Sequence, residues 1–314
     1  MQSMRWQGVI PAMTTPFHHD GTVNHEFLAR HARWLVQEGC TGVVVLGSLG
    51  EGGTLRTAEK RAVLETVVRA IDKTAPVVAG ISGMSTAEAV ELAQLAAGIG
   101  CSGLMVLPPY AYTGDWREMK AHVGAVLDAT NLPAMLYNNP IAYHTDFVPE
   151  QVQELLQEHP NLHAIKESSA DVRRIASLRC LAGARLQILC GVDDLIVEAV
   201  YAGATGWIAG LANAFPRDSV DLFELALLGE KQRAFELYRW FLPMLRFDVV
   251  PKFVQLIKHA QELVDIGSGR VRAPRLELSE QEKQEVQRIV REALSSRPPG
   301  FAHSRSTVEA HANG

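Results

Sequence analysis

Short apolar runs alternate with longer amphipathic segments along most of the chain. The clearest run is residues 42–46, which holds three consecutive valines, and comparable runs recur down the sequence. Uninterrupted apolar runs of this length are typical of strands that are buried on both faces. Segments with helical periodicity follow them, and some begin at capping residues such as Asn24 and Ser85. The pattern therefore predicts parallel strands that alternate with helices.

The pattern contains eight strand–helix units, which favour a closed barrel over an open sheet. The predicted strands are 8–13, 42–46, 77–79, 103–107, 134–137, one within 162–169, 186–190 and 206–209. The predicted helices are 25–38, 58–73, 85–97, 116–129, 149–158, 171–181, 195–202 and 216–228, then 231–245, 251–264 and 279–294.

This order of elements predicts an α/β protein with a (β/α)8 TIM barrel and three additional C-terminal helices. We expect a catalytic barrel over 5–228 and a C-terminal helical domain over 229–294. Over 295–314 the composition turns to Pro, Ser, His and Gly, so we expect a disordered tail there.

Composition and charge narrow the class of protein. The chain has 314 residues, of which 47% are hydrophobic and 21% charged, with a net charge of -5 and no large block of one sign. This balance gives no reason to expect nucleic acid or an anionic membrane as a partner. The start is too polar for a signal peptide, and no apolar run approaches the roughly 20 residues of a membrane span. Together with four scattered cysteines, these features favour the cytoplasm.

Lys166 is the residue with the most informative surroundings. It lies in Leu-His-Ala-Ile-Lys-Glu-Ser-Ser, near the end of the sixth predicted strand. Taken alone it would be read as a solvated lysine, because most lysines are exposed. An amine beside an apolar strand is partly desolvated, however, and a neutral amine can form a Schiff base with a carbonyl carbon. Active sites of α/β barrels lie at this end of the strands, so Lys166 is a candidate nucleophile.

Two other stretches are expected at the same end of the barrel. Residues 47–52, Gly-Ser-Leu-Gly-Glu-Gly, can expose backbone N–H groups beside the Ser48 hydroxyl, which would suit a carboxylate. An ordinary glycine-rich turn has the same composition. Tyr137 ends the fifth strand, where a phenol beside a Schiff-base lysine can relay protons. The alternative is an amphipathic tyrosine of the core.

Two further kinds of site are disfavoured. Residues 203–208 could form a phosphate-binding turn near strands 7 and 8, but they contain no Lys or Arg. The eleven histidines form no HExxH motif and no compact cluster with carboxylates, so we expect no metal site. We likewise expect no cofactor.

Together these stretches resemble the dihydrodipicolinate synthase / N-acetylneuraminate lyase family of class I pyruvate-type aldolases. The resemblance covers about residues 5–295 and rests on residues 47–51, 137–140, 165–167 and 191–194, which follow the family order. It implies an eight-stranded barrel with C-terminal helices, usually assembled as a homotetramer built from dimers.

The resemblance also implies roles for individual residues. Lys166 is similar to the Schiff-base lysine and Tyr137 to the proton-relay tyrosine. Ser48 and Gly47, with the backbone of Leu49, would hold the carboxylate of a 2-oxo acid. Ile208 would line the pocket through its main chain.

Three positions depart from the dihydrodipicolinate synthase pattern. Two adjacent threonines there correspond to Ser48 and Leu49, so the hydroxyl relay is incomplete at Leu49. A tyrosine from a neighbouring subunit corresponds to Ala111, and the arginine for the second substrate's carboxylate corresponds to Ala142. These departures favour a catabolic aldolase, dehydratase or deaminase that acts on a monocarboxylic 2-oxo acid or a cyclic imino acid. His144 would restore a charge if it turned inward.

Two alternatives stay open. The chain could be a 4-hydroxy-tetrahydrodipicolinate (dihydrodipicolinate) synthase despite the three departures. It could also be a non-catalytic barrel that binds a small acid, although the presence of both Lys166 and Tyr137 disfavours this.

Overall fold

The structure, a computed structural model, describes residues 4–71, 74–109 and 112–301. Within these residues eight parallel strands form one sheet, in the order β1-β8-β7-β6-β5-β4-β3-β2. The strands are β1 Gly8–Pro11, β2 Val43–Val45, β3 Val77–Ile81, β4 Gly103–Val106, β5 Ala134–Asn138, β6 Leu162–Glu167, β7 Gln187–Cys190 and β8 Gly206–Ala209.

The sheet closes into a barrel between its two outer members, β1 and β2. Just after β1, Ala12 forms a parallel bridge with Val44, and the Met13 N–H donates to the Val44 carbonyl at 2.8 Å. Apolar side chains on both faces of the strands are buried, because one face fills the barrel interior and the other packs against helices. The uninterrupted apolar runs of the sequence reflect this double burial.

Twelve α-helices accompany the strands in the described residues. They are α1 His25–Gln37, α2 Thr57–Ile71, α3 Thr86–Ile99, α4 Trp116–Asp128, α5 Pro140–Tyr143, α6 Pro149–Glu158, α7 Arg173–Ala182, α8 Ile196–Tyr201, α9 Pro216–Leu227, α10 Lys231–Leu245, α11 Phe253–Leu263 and α12 Glu280–Ser295. The predicted (β/α)8 barrel with three additional C-terminal helices is confirmed. The short helix α5 was not predicted.

The C-terminal helices lie against the barrel and against one another. The Trp240 indole donates to the Ala293 carbonyl at 2.8 Å, which joins α10 to α12. Arg297, inside the predicted tail, forms an ion pair with Asp218 of α9. Residues 302–314, the remainder of that predicted tail, lie outside the described residues. No helix in the described part of the chain is both long and apolar enough to span a bilayer.

Candidate active site

Lys166 and Tyr137 lie side by side at the carboxyl end of the barrel. They are register partners on β6 and β5, and the Lys166 Nζ lies 3.9 Å from the centroid of the Tyr137 ring. Lys166 is 7% exposed and Tyr137 4%. A Cβ added to Gly191 would lie 2.5 Å from the Lys166 Cε, so the glycine after β7 makes room for the lysine side chain.

Burial sets the protonation of this lysine. Desolvation lowers the pKa of Lys166, while the nearby carboxyl of Asp248 acts most strongly in the opposite direction, followed by Tyr143 and Asp193. A larger neutral fraction makes the amine a better nucleophile than a solvated lysine.

The Tyr137 phenol is held in a polar pocket at the end of β5. Asn139 donates from Nδ2 to the phenol oxygen at 3.1 Å. Burial raises the pKa of Tyr137 to about 12, and hydrogen bonding by Asn139, Ser168 and Ser48 partly opposes this rise. The phenol is therefore protonated at neutral pH and has polar neighbours to which a proton can pass.

The loop after β2 is folded back on itself at the same end of the barrel. The Glu51 N–H donates to the Ser48 carbonyl at 3.1 Å, and the Gly52 N–H to the Gly47 carbonyl at 3.2 Å. Within the described residues, the N–H groups of Ser48 and Leu49 find no hydrogen-bond acceptor. The Leu49 side chain is buried in the core, so this residue can offer a substrate only its backbone.

A buried ion pair fixes this loop to the C-terminal helices. Glu51, at φ 53° in the left-handed region, forms a 2.6 Å contact with the Nζ of Lys258 on α11. The second oxygen of Glu51 accepts from the Arg272 N–H at 3.0 Å. Lys258 also donates to the Arg270 carbonyl at 2.7 Å. Both partners are almost fully buried, so the loop position depends on α11 and the segment that follows it.

β8 and the turn after β7 complete the wall of the barrel on the side of Ile208. The Ile208 side chain is buried in the core, and its Cα pairs with that of Ile10. Asp193 accepts hydrogen bonds from the Trp207 indole and from the N–H groups of Gly210 and Leu211, at 2.7 to 3.1 Å. Burial raises the pKa of Asp193 to about 6, although these hydrogen bonds act to lower it. Asp193 thus ties β7 to the end of β8.

Tyr143 is a site residue that the sequence reasoning missed. It ends α5, and its phenol shares a hydrogen bond with the Ser48 Oγ. Its ring also lies edge-on to that of Tyr137, with 5.7 Å between centroids and an interplanar angle of 86°. A local signal was present: Asn139 followed by Pro140 is an N-cap followed by the residue favoured at the first helical position.

Asp248 is the second residue that was missed. It lies in the 3-10 turn Arg246–Val249 between α10 and α11, and a Cβ added to Gly210 would lie 2.1 Å from its Oδ1. Its carboxyl therefore covers the end of β8, where it acts electrostatically on Lys166 and Tyr137. Burial and the charge of Asp193 raise the pKa of Asp248 well above its usual range. No local sequence pattern marks this residue.

Three further positions that the sequence singled out are exposed or lie outside the described residues. Ala142 and His144 are exposed, and Ala111 lies in the part of the chain that is not described. Across residues 4–71, 74–109 and 112–301, no group of three or more His, Cys, Asp or Glu side chains is arranged to hold a metal ion.

Comparisons with known proteins agree with this architecture. The solved structures that resemble the chain include a dihydrodipicolinate synthase, at 29% identity and a TM-score of 0.86, covering 92% of this chain and 99% of that one. Another is YagE of E. coli, a prophage protein of the dihydrodipicolinic acid synthase family in complex with pyruvate. It has 28% identity and a TM-score of 0.86, over 92% of this chain and 98% of that one.

A curated relative from Methanococcus maripaludis is named 4-hydroxy-tetrahydrodipicolinate synthase. It is 31% identical over 281 residues, which is 90% of this chain and 96% of the relative. Together with the barrel, these relatives define the class of this chain, the Schiff-base-forming lyases. The model of the dihydrodipicolinate synthetase family matches residues 5–293, and the chain belongs to this family. The resemblance inferred from the motifs is confirmed.

Proposed function

We propose that the chain acts on a 2-oxo acid or a cyclic imino acid, with Lys166 forming the imine and Tyr137 relaying protons. The observation that carries the proposal is the buried amine of Lys166, 3.9 Å from the centre of the Tyr137 ring at the barrel mouth. The reaction that follows imine formation is an aldol cleavage, a dehydration or a deamination.

The proposed chemistry gives the residues around the site separate roles in substrate binding and in the reaction. The Ser48 hydroxyl and the N–H groups around Gly47 and Leu49 bind the carboxylate, and the main chain of Ile208 lines the opposite side. The Lys166 amine attacks the 2-oxo carbon, and the carbonyl oxygen leaves as water. The protonated imine then draws electrons from the adjacent C–H or C–C bond, while Tyr137 exchanges the proton.

Borohydride trapping tests this function directly. Pyruvate and sodium borohydride should add the mass of one reduced pyruvate to the native chain and to Lys231→Ala, an exposed control on α10. Lys166→Ala should take up none and should stay folded, because the desolvation cost of the buried amine outweighs the favourable charges of its neighbours. An adduct on Lys166→Ala would refute the assignment of the lysine. Absence of an adduct on the native chain with pyruvate and a panel of 2-oxo acids would favour a non-catalytic binding barrel.

A second candidate is 4-hydroxy-tetrahydrodipicolinate synthase, the name carried by the Methanococcus maripaludis relative. Two features in the described residues disfavour it: Leu49 has no hydroxyl, and exposed Ala142 replaces an arginine that would hold a second carboxylate. Incubation with pyruvate and aspartate semialdehyde separates the candidates. Efficient condensation would establish the synthase, whereas turnover of 2-oxo-3-deoxy sugar acids or cyclic imino acids alone would support a catabolic lyase.

We also propose that the chain works in the cytoplasm as a homotetramer built from dimers. The family resemblance supports the assembly, and the four scattered cysteines, which form no CxxC pair, support the location. Within the chain, we propose a catalytic barrel over 5–228 and a helical domain over 229–294. Light scattering of the purified protein would test the assembly.

A further inference from the structure

The residues that follow Tyr137 and Lys166 form a second pair, on the opposite face of the sheet. Asn138 and Glu167 are register partners at the last positions of β5 and β6. Successive side chains of a strand point to opposite faces, so these two lie directly behind the phenol and the amine. The Asn138 Nδ2 donates to the Glu167 Oε2 at 3.1 Å, and the two residues are only 0% and 4% exposed.

Both side chains have further partners that fix their orientation. The second oxygen of Glu167 accepts from the Ser169 N–H at 2.7 Å. The Asn138 Oδ1 accepts from the Phe147 N–H at 2.9 Å, and the Asn138 Nδ2 donates a longer second bond of 3.3 Å to Asp146. Burial raises the pKa of Glu167, and the hydrogen bonds from Ser169 and Asn138 oppose this rise. Every polar side-chain atom of the pair therefore has a partner, as buried polar groups require.

We propose that Asn138 and Glu167 are positioning residues for the Schiff-base reaction, an inference that rests on the function proposed above. Both residues end their strands, where the regular backbone ladder stops and side-chain bonds hold the chain. The bond between them fixes the ends of β5 and β6 relative to each other, and with them the Tyr137 ring and the Lys166 amine. Misplacement of a reacting group by about 1 Å can cost about 10²-fold in rate, so a small movement of either strand end matters.

The outer part of the network is a less informative place for a test. Arg174 of α7 donates to both oxygens of Asp146, at 2.6 and 2.7 Å. The Arg174 side chain is 21% exposed and that of Asp146 36%, so water competes for both partners. Ion pairs of this kind contribute little. The buried bond between Asn138 and Glu167 is therefore the one to change.

Exchanging the two functional groups tests this bond. In Glu167→Gln one amide oxygen remains for two donors, the Asn138 amide and the Ser169 N–H, so one hydrogen bond is lost. Asn138→Asp instead buries two carboxyl groups against each other. The double variant Asn138→Asp/Glu167→Gln keeps the net charge of the native pair and reverses the direction of the bond, because the glutamine amide can donate to the aspartate.

Borohydride trapping with pyruvate gives the readout. The initial trapping rate at saturating pyruvate should fall at least about tenfold in each single variant and recover at least about threefold in the double variant. The pyruvate concentration for half-maximal trapping should stay within about twofold, because the proposed carboxylate site lies on the loop after β2. Asn161→Ala is the matched control. This asparagine, at the other end of β6, donates to the Leu127 carbonyl at 2.8 Å, and its loss should lower the melting temperature alone.

Several outcomes would overturn the positioning role. They are a native-like rate in folded Glu167→Gln, a change confined to the half-saturating concentration or the melting temperature, and a double variant no faster than either single variant. Glu167→Gln is nearly isosteric, so it decides the matter even if Asn138→Asp alone does not fold. If the native chain traps neither pyruvate nor other 2-oxo acids, the Schiff-base function itself fails. If the native chain and all variants trap pyruvate equally, only the positioning role fails.

Discussion

At the scale of single residues, the site depends on the space left by a missing side chain. Gly191 follows β7, and an added Cβ would lie 2.1 Å from the Ser168 Oγ and 2.5 Å from the Lys166 Cε. Contacts this short force the lysine side chain to move. The glycine of the Gly-Val-Asp-Asp segment therefore positions the amine, although it carries no chemistry itself.

Gly191→Ala should consequently impair imine formation far more than stability. Misplacement of a reacting group by about 1 Å can cost about 10²-fold, so we expect trapping with pyruvate to slow by about that factor. The control is Gly98→Ala on α3, where nothing lies within 4 Å of an added Cβ and alanine favours the helix. Trapping kinetics and melting curves check both variants. Native-like trapping in Gly191→Ala would show that the lysine does not need this space.

At the scale of elements, the turn between α10 and α11 places the Asp248 carboxyl near Lys166. Residues 246–249 bring Asp248 over the end of β8, and its charge favours the ammonium form of Lys166 against desolvation. The other groups that act on the amine are Tyr143, Asp193 and Cys190. Because the neutral amine is the proposed nucleophile, Asp248 should help to set the pH range in which the proposed imine forms.

When the rate of borohydride trapping is plotted against pH, Asp248→Asn should move the rising part of the curve to lower pH. The ionised form of Asp248 raises the Lys166 pKa, so wherever Asp248 is ionised its replacement by asparagine makes the amine neutral at a lower pH. The direction of the shift follows from the loss of an opposite charge beside a buried amine. Asp194→Asn is the control, since Asp194 lies 3.8 Å from Arg246 and does not act on the lysine directly. A curve that stays in place or moves to higher pH would contradict this role.

Helix α11 holds the loop after β2, the proposed carboxylate-binding loop, through the Lys258–Glu51 pair. Lys258→Met would leave the Glu51 carboxylate buried without its counter-charge, which typically costs about 3–5 kcal/mol of folding free energy. Adding Glu51→Gln should recover part of this loss, because the uncompensated charge is then removed. Urea unfolding of both variants tests the pair. As the loop loosens in Lys258→Met, the pyruvate concentration needed for half-maximal borohydride trapping should also rise. Equal stability of Lys258→Met and the native chain would exclude the pair as a support.

At the scale of the whole molecule, the sequence predicts the features that depend on local periodicity. Strands that are buried on both faces give continuous apolar runs. Because active sites of α/β barrels lie at the carboxyl ends of the strands, Lys166 and Tyr137 could be placed at the same end of the barrel. Tyr143 escaped prediction because one helical turn is too short to show periodicity, even with Asn139 and Pro140 before it. Asp248 escaped because only the packing of distant C-terminal helices brings it to the mouth.

The charge distribution at the mouth bears on substrate choice. Within the described residues, Asp193, Asp194 and Asp248 are grouped on the side of β7 and β8, while Ala142 on the side of β5 offers no cation. Exposed His144 faces solvent, and Arg174 is engaged by Asp146 at 2.6 Å. A second substrate carboxylate would therefore lose hydration without gaining a fixed counter-charge.

The native chain should accordingly prefer 2-oxo acids with one carboxylate and neutral, hydroxylated distal carbons. Ala142→Arg should shift kcat/KM toward the matched dicarboxylate by about tenfold, since a charge-assisted hydrogen bond contributes about 1.5–3 kcal/mol where the geometry is favourable. Ala142→Gln is the neutral control: it supplies length and donors without charge and should shift the ratio much less. The measurement is kcat/KM for a mono- and dicarboxylate pair at two salt concentrations, because a charge effect weakens as salt rises. A native preference for the dicarboxylate, or equal shifts in the arginine and glutamine variants, would refute this account of specificity.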